Sequence, residues 1–315
     1  MKNLVRISIL LSLFLLLTVT STAHGFSPGP FGGCTATNRT LFLTEPRLTG
    51  TDVLELQERL HELGYYKGKL DGIYGPKTSQ AVNELQSSTN MHVTGQVGPA
   101  TWEALSTGAK APPVSTNDMG EPSGEVGIVI DTVKKTLTIT DDGKPFKSFP
   151  CAVGKGKTPT PVGEWKVVHK GGNWGGGFGV RWMGLNVPWG VYGIHGTNKP
   201  YSIGTSASHG CIRMFNEHVR IVYRWVSVGT PVKIVGEPIM PPHAAYRMTM
   251  RYGAIGPDVV QVQLKLKEMG YLLGPADGRF GPATELAVKF FQVRNGMEDT
   301  GEVELEMYRV LELKK

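Results

Sequence analysis

An internal duplication constrains this chain more than any other feature. Residues 51–105 align with residues 257–311 at a constant offset of 206, without a gap. Asp52-Val53 matches Asp258-Val259, and Gln57 matches Gln263. Asp71-Gly72 and Gly75-Pro76 recur as Asp277-Gly278 and Gly281-Pro282. Thr78, Ala81, Val82 and Gln86 recur as Thr284, Ala287, Val288 and Gln292, and Trp102 is answered by Tyr308. Each copy reads as a small module, and the pair brackets a middle segment of different character.

Each module has the pattern of three helices. Val53, Leu56, Leu60 and Leu63 share one helical face, and Gly64 is placed to end that helix. Asp71-Gly72 and Gly75-Pro76 punctuate a loop. Pro76 opens a second helix with Ala81, Val82 and Leu85 inward, and Pro99 opens a short third helix carrying Trp102 and Leu105. The second copy repeats this with Val259, Val262, Leu266 and Met269, then Ala287, Val288 and Phe291. Taken singly, Asp71, Gly72 and Gly75 read as turn formers, and Tyr65, Tyr66 and Tyr74 as core or rim residues.

From Val126 the periodicity becomes that of strands. Short β-branched runs at 126–130 and 136–140 are separated by turns at Val133-Lys134-Lys135 and Asp141-Asp142-Gly143-Lys144. Further strands are expected at 146–153, 163–169, 191–195 and 231–235, with one helix near Glu217–Val226. The expected fold is a mostly β sandwich or barrel flanked by the two three-helix modules. Gly156-Lys157-Thr158 imitates the end of a phosphate-binding loop, but Pro159 and Pro161 forbid the helix that should follow. The run Gly171–Gly177 reads as a mobile loop with an aromatic tip, a candidate lid.

Residues 1–23 read as a secretory signal peptide. Lys2 and Arg6 precede the apolar run Ile7–Val19, and Ser21-Thr22-Ala23 offers a cleavage site. The apolar run is short for a bilayer span, so no stable membrane insertion is expected after cleavage. Linkers rich in Gly and Pro are expected at 24–50, 107–124 and 237–256, leaving modules at 51–106 and 257–315 and a middle domain at 125–236. The net charge of +6 is spread along the chain, without the basic block of a nucleic-acid binder.

The candidate site is Ser208-His209-Gly210-Cys211-Ile212-Arg213, together with His195-Gly196 upstream. A thiol becomes a nucleophile when a neighbouring imidazole takes its proton. Gly210 permits a sharp turn, and the backbone N–H groups around Gly210 and Cys211 could face a developing oxyanion. His195, His209 and Cys211 would also suit a zinc site, but no carboxylate is evident beside them to act as its base. The chain has three cysteines, and a free Cys211 would explain the odd count. Cys34 and Cys151 could then pair.

His-Gly followed by Ser-His-Gly-Cys-Ile-Arg resembles the signature of the L,D-transpeptidase (YkuD-type) catalytic domain, and the resemblance spans roughly Glu125 to Gly236. The repeated Gln-x2-Leu-x2-Leu-Gly-Tyr, Asp-Gly-x2-Gly-Pro-x-Thr and Ala-Val-x2-[LF]-Gln spacing resembles the type 1 peptidoglycan-binding domain. Thr158-Pro159-Thr160-Pro161-Val162-Gly163 is similar to the turn that precedes a core strand in the catalytic family. The resemblance implies Cys211 as nucleophile and His195 as general base, oriented by the Gly196 carbonyl. It implies that Ser208, His209 and Gly210 shape the oxyanion loop and that Arg213 holds a substrate carboxylate or makes a structural ion pair.

The implied reaction is a metal-free, cofactor-free acyl transfer. Cys211 attacks a tetrapeptide stem, D-alanine leaves, and an amine of a second stem completes a 3→3 peptidoglycan cross-link. Water in place of the amine would make the protein an L,D-carboxypeptidase. A catalytically silent wall-binding protein is the remaining alternative. Peptidoglycan is the expected partner, the cell wall the expected location after secretion, and a monomer the expected state. Two weak wall-binding modules on one chain would raise its residence on the polymer.

Overall fold

The computed structural model describes residues 39–105, 120–172, 178–238, 240 and 246–313. The expected signal peptide and most of the linker at 107–124 lie outside the described residues.

The first module contains α1 (Thr51–Glu62), α2 (Pro76–Ser88) and α3 (Pro99–Leu105). Val53, Leu56 and Leu60 are fully buried, as their spacing requires, against Ala81, Val82, Leu85, Trp102 and Leu105. Tyr66 and Tyr74 belong to this core, and Leu63 and Tyr65 pack at its edge. Gln57 ties the interhelical loop together from inside. Its Nε2 donates to Asp71 Oδ1 (2.9 Å), Ile73 O (3.0 Å) and Thr78 Oγ1 (3.2 Å), while its Oε1 accepts from the N–H groups of Asp71 and Gly72. Gln86 does the same for the next loop, holding Gln96 O and the N–H groups of Thr94 and Gly95. These glutamines satisfy the backbone polar groups that burial of a loop would otherwise orphan.

The duplicate contains α5 (Pro257–Glu268), α6 (Pro282–Arg294) and α7 (Leu305–Val310), and Gln263 and Gln292 repeat the two knots. Met269 departs from expectation: it is 49% exposed, because it caps α5 rather than continuing its buried stripe. Leu41 and Met250 lie in stretches read as linker, yet both are buried. They pair through single bridges with Val97 and Val303.

The middle segment forms β1 (Val126–Asp131), β2 (Thr136–Asp141), β3 (Lys144–Gly154), β4 (Gly163–Gly172), β5 (Arg181–Leu185), β6 (Tyr192–His195), β7 (Ser206–Ser208), β8 (Ile212–Met214) and β9 (Pro231–Val235). Between β8 and β9 runs α4 (Asn216–Trp225). The strand order is β2-β1-β9-β4-β5-β6-β8-β3-β7, and β3 also pairs with β2, so the sheet closes on itself. The barrel interior holds Ile130, Leu137, Phe149, Trp165, Val167, Met183, Ile194, Ile212 and Ile234. Strands β5, β7 and β8 were not expected. They are three to five residues long and flanked by glycine or polar turns, which leaves little alternation to read. Gly171 and Gly172, expected in a loop, end β4; the candidate lid at 173–177 lies outside the described residues.

Replacing Gln57 by Leu should cost the first module about 2–3 kcal/mol, because buried N–H groups of the 71–72 loop lose their acceptor. The check is hydrogen exchange of α1 and α2, which should speed up while α5 and α6 stay protected.

Candidate active site

Parallel pairing of β6 with β8 builds the site. Ile194 lies opposite Ile212, and His195 opposite Arg213. Cys211 immediately precedes β8, so alternation along the strand puts Cys211 and Arg213 on one face. The same two aromatic rings join His195 to Cys211. Trp182 of β5 stacks on the His195 ring at 5.6 Å and 26°, and Phe178 meets it edge-on at 4.8 Å. Phe178 and Trp182 also form the apolar cluster that contains Cys211, with Val191 packed against it. Nothing in the sequence singles out Phe178 or Trp182 beyond their being aromatic.

His195 is 1% exposed, and its Nδ1 donates to the carbonyl of Gly196 at 2.5 Å. That bond directs Nε2 away from its own backbone. Among the described residues His195 Nε2 has no hydrogen-bond partner, and neither has Arg213 Nε. Burial, then the Arg213 charge, push the His195 imidazole down to about 3, so it is held neutral. Two neighbouring buried nitrogens without partners, His195 Nε2 lacking a donor and Arg213 Nε lacking an acceptor, form a site that a ligand offering both would complete.

The turn after His195 depends on Asn216, which sequence reasoning missed. Asn216 Oδ1 accepts from Thr197 N–H at 3.1 Å. A Cβ on Gly196 would lie 2.2 Å from that oxygen, so only glycine fits there.

The loop before Cys211 is clamped from within. Ser208 is fully buried, and its Oγ donates to Cys211 O at 2.6 Å and accepts from Gly210 N–H at 3.1 Å. The Gly210 N–H, expected to face an oxyanion, is therefore committed to Ser208 in this state. Gly210 has φ +113°, and a Cβ there would come 2.7 Å from the Tyr192 ring. The 158–163 turn supports the same loop: Thr158 Oγ1 donates to Ser208 O. His209 stays on the rim, with Nε2 3.3 Å from Lys155 Nζ, and burial and Lys155 lower its pKa. Among the described residues no three His, Cys, Asp or Glu side chains converge as a metal-binding group.

The expected thiol assignment needs correction. Cys151 is the free cysteine, buried in the barrel, with burial raising its thiol to about 12. It forms no bridge with Cys34. Cys211 is disulfide-bonded, and Cys34 lies outside the described residues. The odd cysteine is odd because the barrel interior hides it: Cys151 pairs in register with Met214 at the centre of the sheet.

Over residues 125–234 the chain matches the L,D-transpeptidase catalytic domain (YkuD), and over 49–105 and 255–311 it matches a peptidoglycan binding domain. It is 44% identical over 107 residues to the L,D-transpeptidase YkuD of Bacillus subtilis (strain 168), covering 34% of this chain and 64% of that protein. It is 32% identical over 129 residues to the L,D-transpeptidase YqjB of the same organism, covering 36% of this chain and 73% of that protein. The chain thus spans a little under two thirds of the two YkuD relatives from Bacillus species. Among solved structures it is similar to an L,D-transpeptidase from Xylanimonas cellulosilytica, with 29% identity, 59% of this chain and 94% of that chain covered, and a TM-score of 0.28.

Two outcomes follow from the geometry. Nitrogen-15 NMR should show His195 as the neutral Nδ1–H tautomer throughout pH 5–8, without an inflection near its ordinary value of 6.5. Because its folded pKa is depressed, its contribution to stability is complete above 6.5 and is lost as pH falls toward 3. Gly210→Ala should destabilise the middle domain by about 1–3 kcal/mol, through strain at positive φ and the clash with Tyr192; urea unfolding followed by tryptophan fluorescence measures it.

Proposed function

Because the chain belongs to the YkuD family of L,D-transpeptidases and carries a peptidoglycan-binding domain on each side of the catalytic one, we propose that it is an exported wall enzyme forming 3→3 cross-links through Cys211. The observation that carries this reading is the pair of partnerless nitrogens, His195 Nε2 and Arg213 Nε, on the sheet face that also bears Cys211. One is suited to take a thiol proton and the other to hold a carboxylate.

The competent enzyme is the reduced one. An external thiolate must first open the disulfide by attacking the partner sulfur and releasing Cys211 as a thiolate, which takes up a proton. Cys211 then gives its proton to His195 Nε2 as its sulfur bonds to the carbonyl carbon of the third stem residue. The oxyanion is met by the Cys211 backbone N–H, the Gly210 N–H being held by Ser208, with the Arg213 charge close by. Collapse breaks the C–N bond, and His195 returns the proton to the departing D-alanine amine. In the second half an amine of another stem attacks the thioester. His195 takes the amine proton, the C–S bond breaks, and the proton passes to the Cys211 thiolate.

A neutral, dry His195 is a weak base, and substrate binding corrects this. Arg213 is the second cause of its low pKa. A stem carboxylate lying against Arg213 cancels that charge and raises the basicity of His195 at the moment it is needed. The modules would keep the enzyme at its polymer, and a monomer suffices because both catalytic groups come from one sheet.

Intact-mass spectrometry of the reduced mature protein with a disaccharide-tetrapeptide tests this, alongside Cys211→Ala. The expected product is an adduct equal to the donor minus D-alanine, absent from the variant and from unreduced protein. Added acceptor amine should yield cross-linked dimer; release of trimmed stem alone would assign the activity to a carboxypeptidase. No adduct and no D-alanine from reduced, folded protein would sink the reading.

A further inference from the structure

The two modules turn the same helix face toward the middle domain, but two positions on it differ in chemistry. In the second module Val260 joins the barrel core, and Leu264 packs against it. Trp189 lies so close to Gly278 that a Cβ there would come within 2.3 Å of its ring. Lys267 Nζ reaches Glu164 at 2.5 Å, and Ala276 O accepts from the Glu164 N–H at 2.9 Å. This interface is a continuation of the core and has no reason to open.

In the first module the positions equivalent to Gln261 and Leu264 are Glu55 and Glu58, at the same offset of 206. With Glu62 they form an acidic stripe along α1, at spacings that share one face. Glu58 pairs with Lys199 at 2.5 Å, and Glu62 accepts from Tyr201 Oη at 2.5 Å. Arg59 lies over the Tyr201 ring at 5.2 Å, and Glu103 of α3 pairs with the exposed Arg220. Glu55 Oε1 stands 3.8 Å from Arg213 Nη2, an ion pair too long to be a hydrogen bond. The contacts fall on Lys199, Tyr201 and Arg213, which surround the site, and they are charged or polar.

We propose that the first module is a releasable cover of the acyl-donor site, in which the Glu55 carboxylate occupies Arg213 until a stem-peptide carboxylate displaces it. The inference rests on the reading of Arg213 as the holder of the substrate carboxylate. This cover is held by ion pairs whose carboxylates are partly exposed, and it has Glu58 where the second module has the apolar Leu264. Burial raises the Glu55 pKa despite Arg213 and Lys199, so closure confines a carboxylate that the solvent would hold better. Engagement of the module by glycan would therefore favour the open enzyme and couple catalysis to contact with the wall.

The test compares reduced wild-type protein with Glu58→Lys and with the charge swap Glu58→Lys/Lys199→Glu. In Glu58→Lys, amide exchange over Lys199–Arg213 should rise while α2 stays protected, showing an intact module that has come off. KM for a soluble disaccharide-tetrapeptide should fall about tenfold with kcat little changed, as expected if about a tenth of the wild-type population is open. The swap should restore slow exchange and the higher KM. Unchanged exchange over Lys199–Arg213, or faster exchange without a change in KM, would overturn the cover. Absence of acyl-enzyme in every form, with exchange still responding to the swap, would overturn the underlying chemistry instead.

Discussion

The site depends on one parallel strand pairing. β6 and β8 each contribute a few residues, yet their register places His195 beside Arg213 and brings the residue before β8, Cys211, to the same face. Parallel neighbours need a long crossover, and here it is the 196–211 segment that carries Lys199, Tyr201, Ser208 and Gly210. The connection that the topology requires is therefore also the wall of the site. Closure of the barrel through β3, which pairs with β2 at one end and with β8 and β7 at the other, prevents this register from slipping.

Around that pairing the polar groups fall into two kinds. Asn216, Ser208 and Thr158 have their partners and hold the backbone still. His195 Nε2 and Arg213 Nε are without hydrogen-bond partners among the described residues. Gln57, Gln86, Gln263 and Gln292 satisfy the buried loops of the modules, whereas the two orphaned nitrogens of His195 and Arg213 share the face that bears Cys211 and mark where a ligand completes it. The disulfide at Cys211 adds a second condition, since a sulfur bonded to sulfur has no proton to give and no lone nucleophilic thiolate.

The duplicated module shows how a fold can be reused for different attachments. The interior residues of the two copies correspond one for one, and so do the glutamine knots. The outward face of the first helix diverges, with Glu55 and Glu58 in one copy where the other has Gln261 and Leu264, and that face decides how each module meets the barrel. Much of this was legible. Gly-Pro punctuation located the second helices, and apolar spacing located the cores. Met269 misled because a stripe extrapolated past the last turn meets the helix cap. β5 was invisible because Gly184 and the aromatic and basic residues of Arg181–Leu185 do not alternate, so Trp182, and with it half of the floor under His195, was not foreseen.

What the sequence by itself determined is local and chemical: two three-helix modules, a β-rich middle domain, and a Cys-His pair in a glycine-framed motif. Those features rest on short-range physics, on helical and strand periodicity and on the special angles of glycine and proline. The tertiary structure alone decided that His195 is neutral, that Gly210 N–H is taken by Ser208, that Cys151 rather than Cys211 is the free thiol, and that α1 lies over Arg213. Each of these is a matter of burial or of contact between residues distant in the chain. Desolvation and long-range contact depend on where the barrel closes and which surface each module presents, and neither is written in any single stretch of sequence.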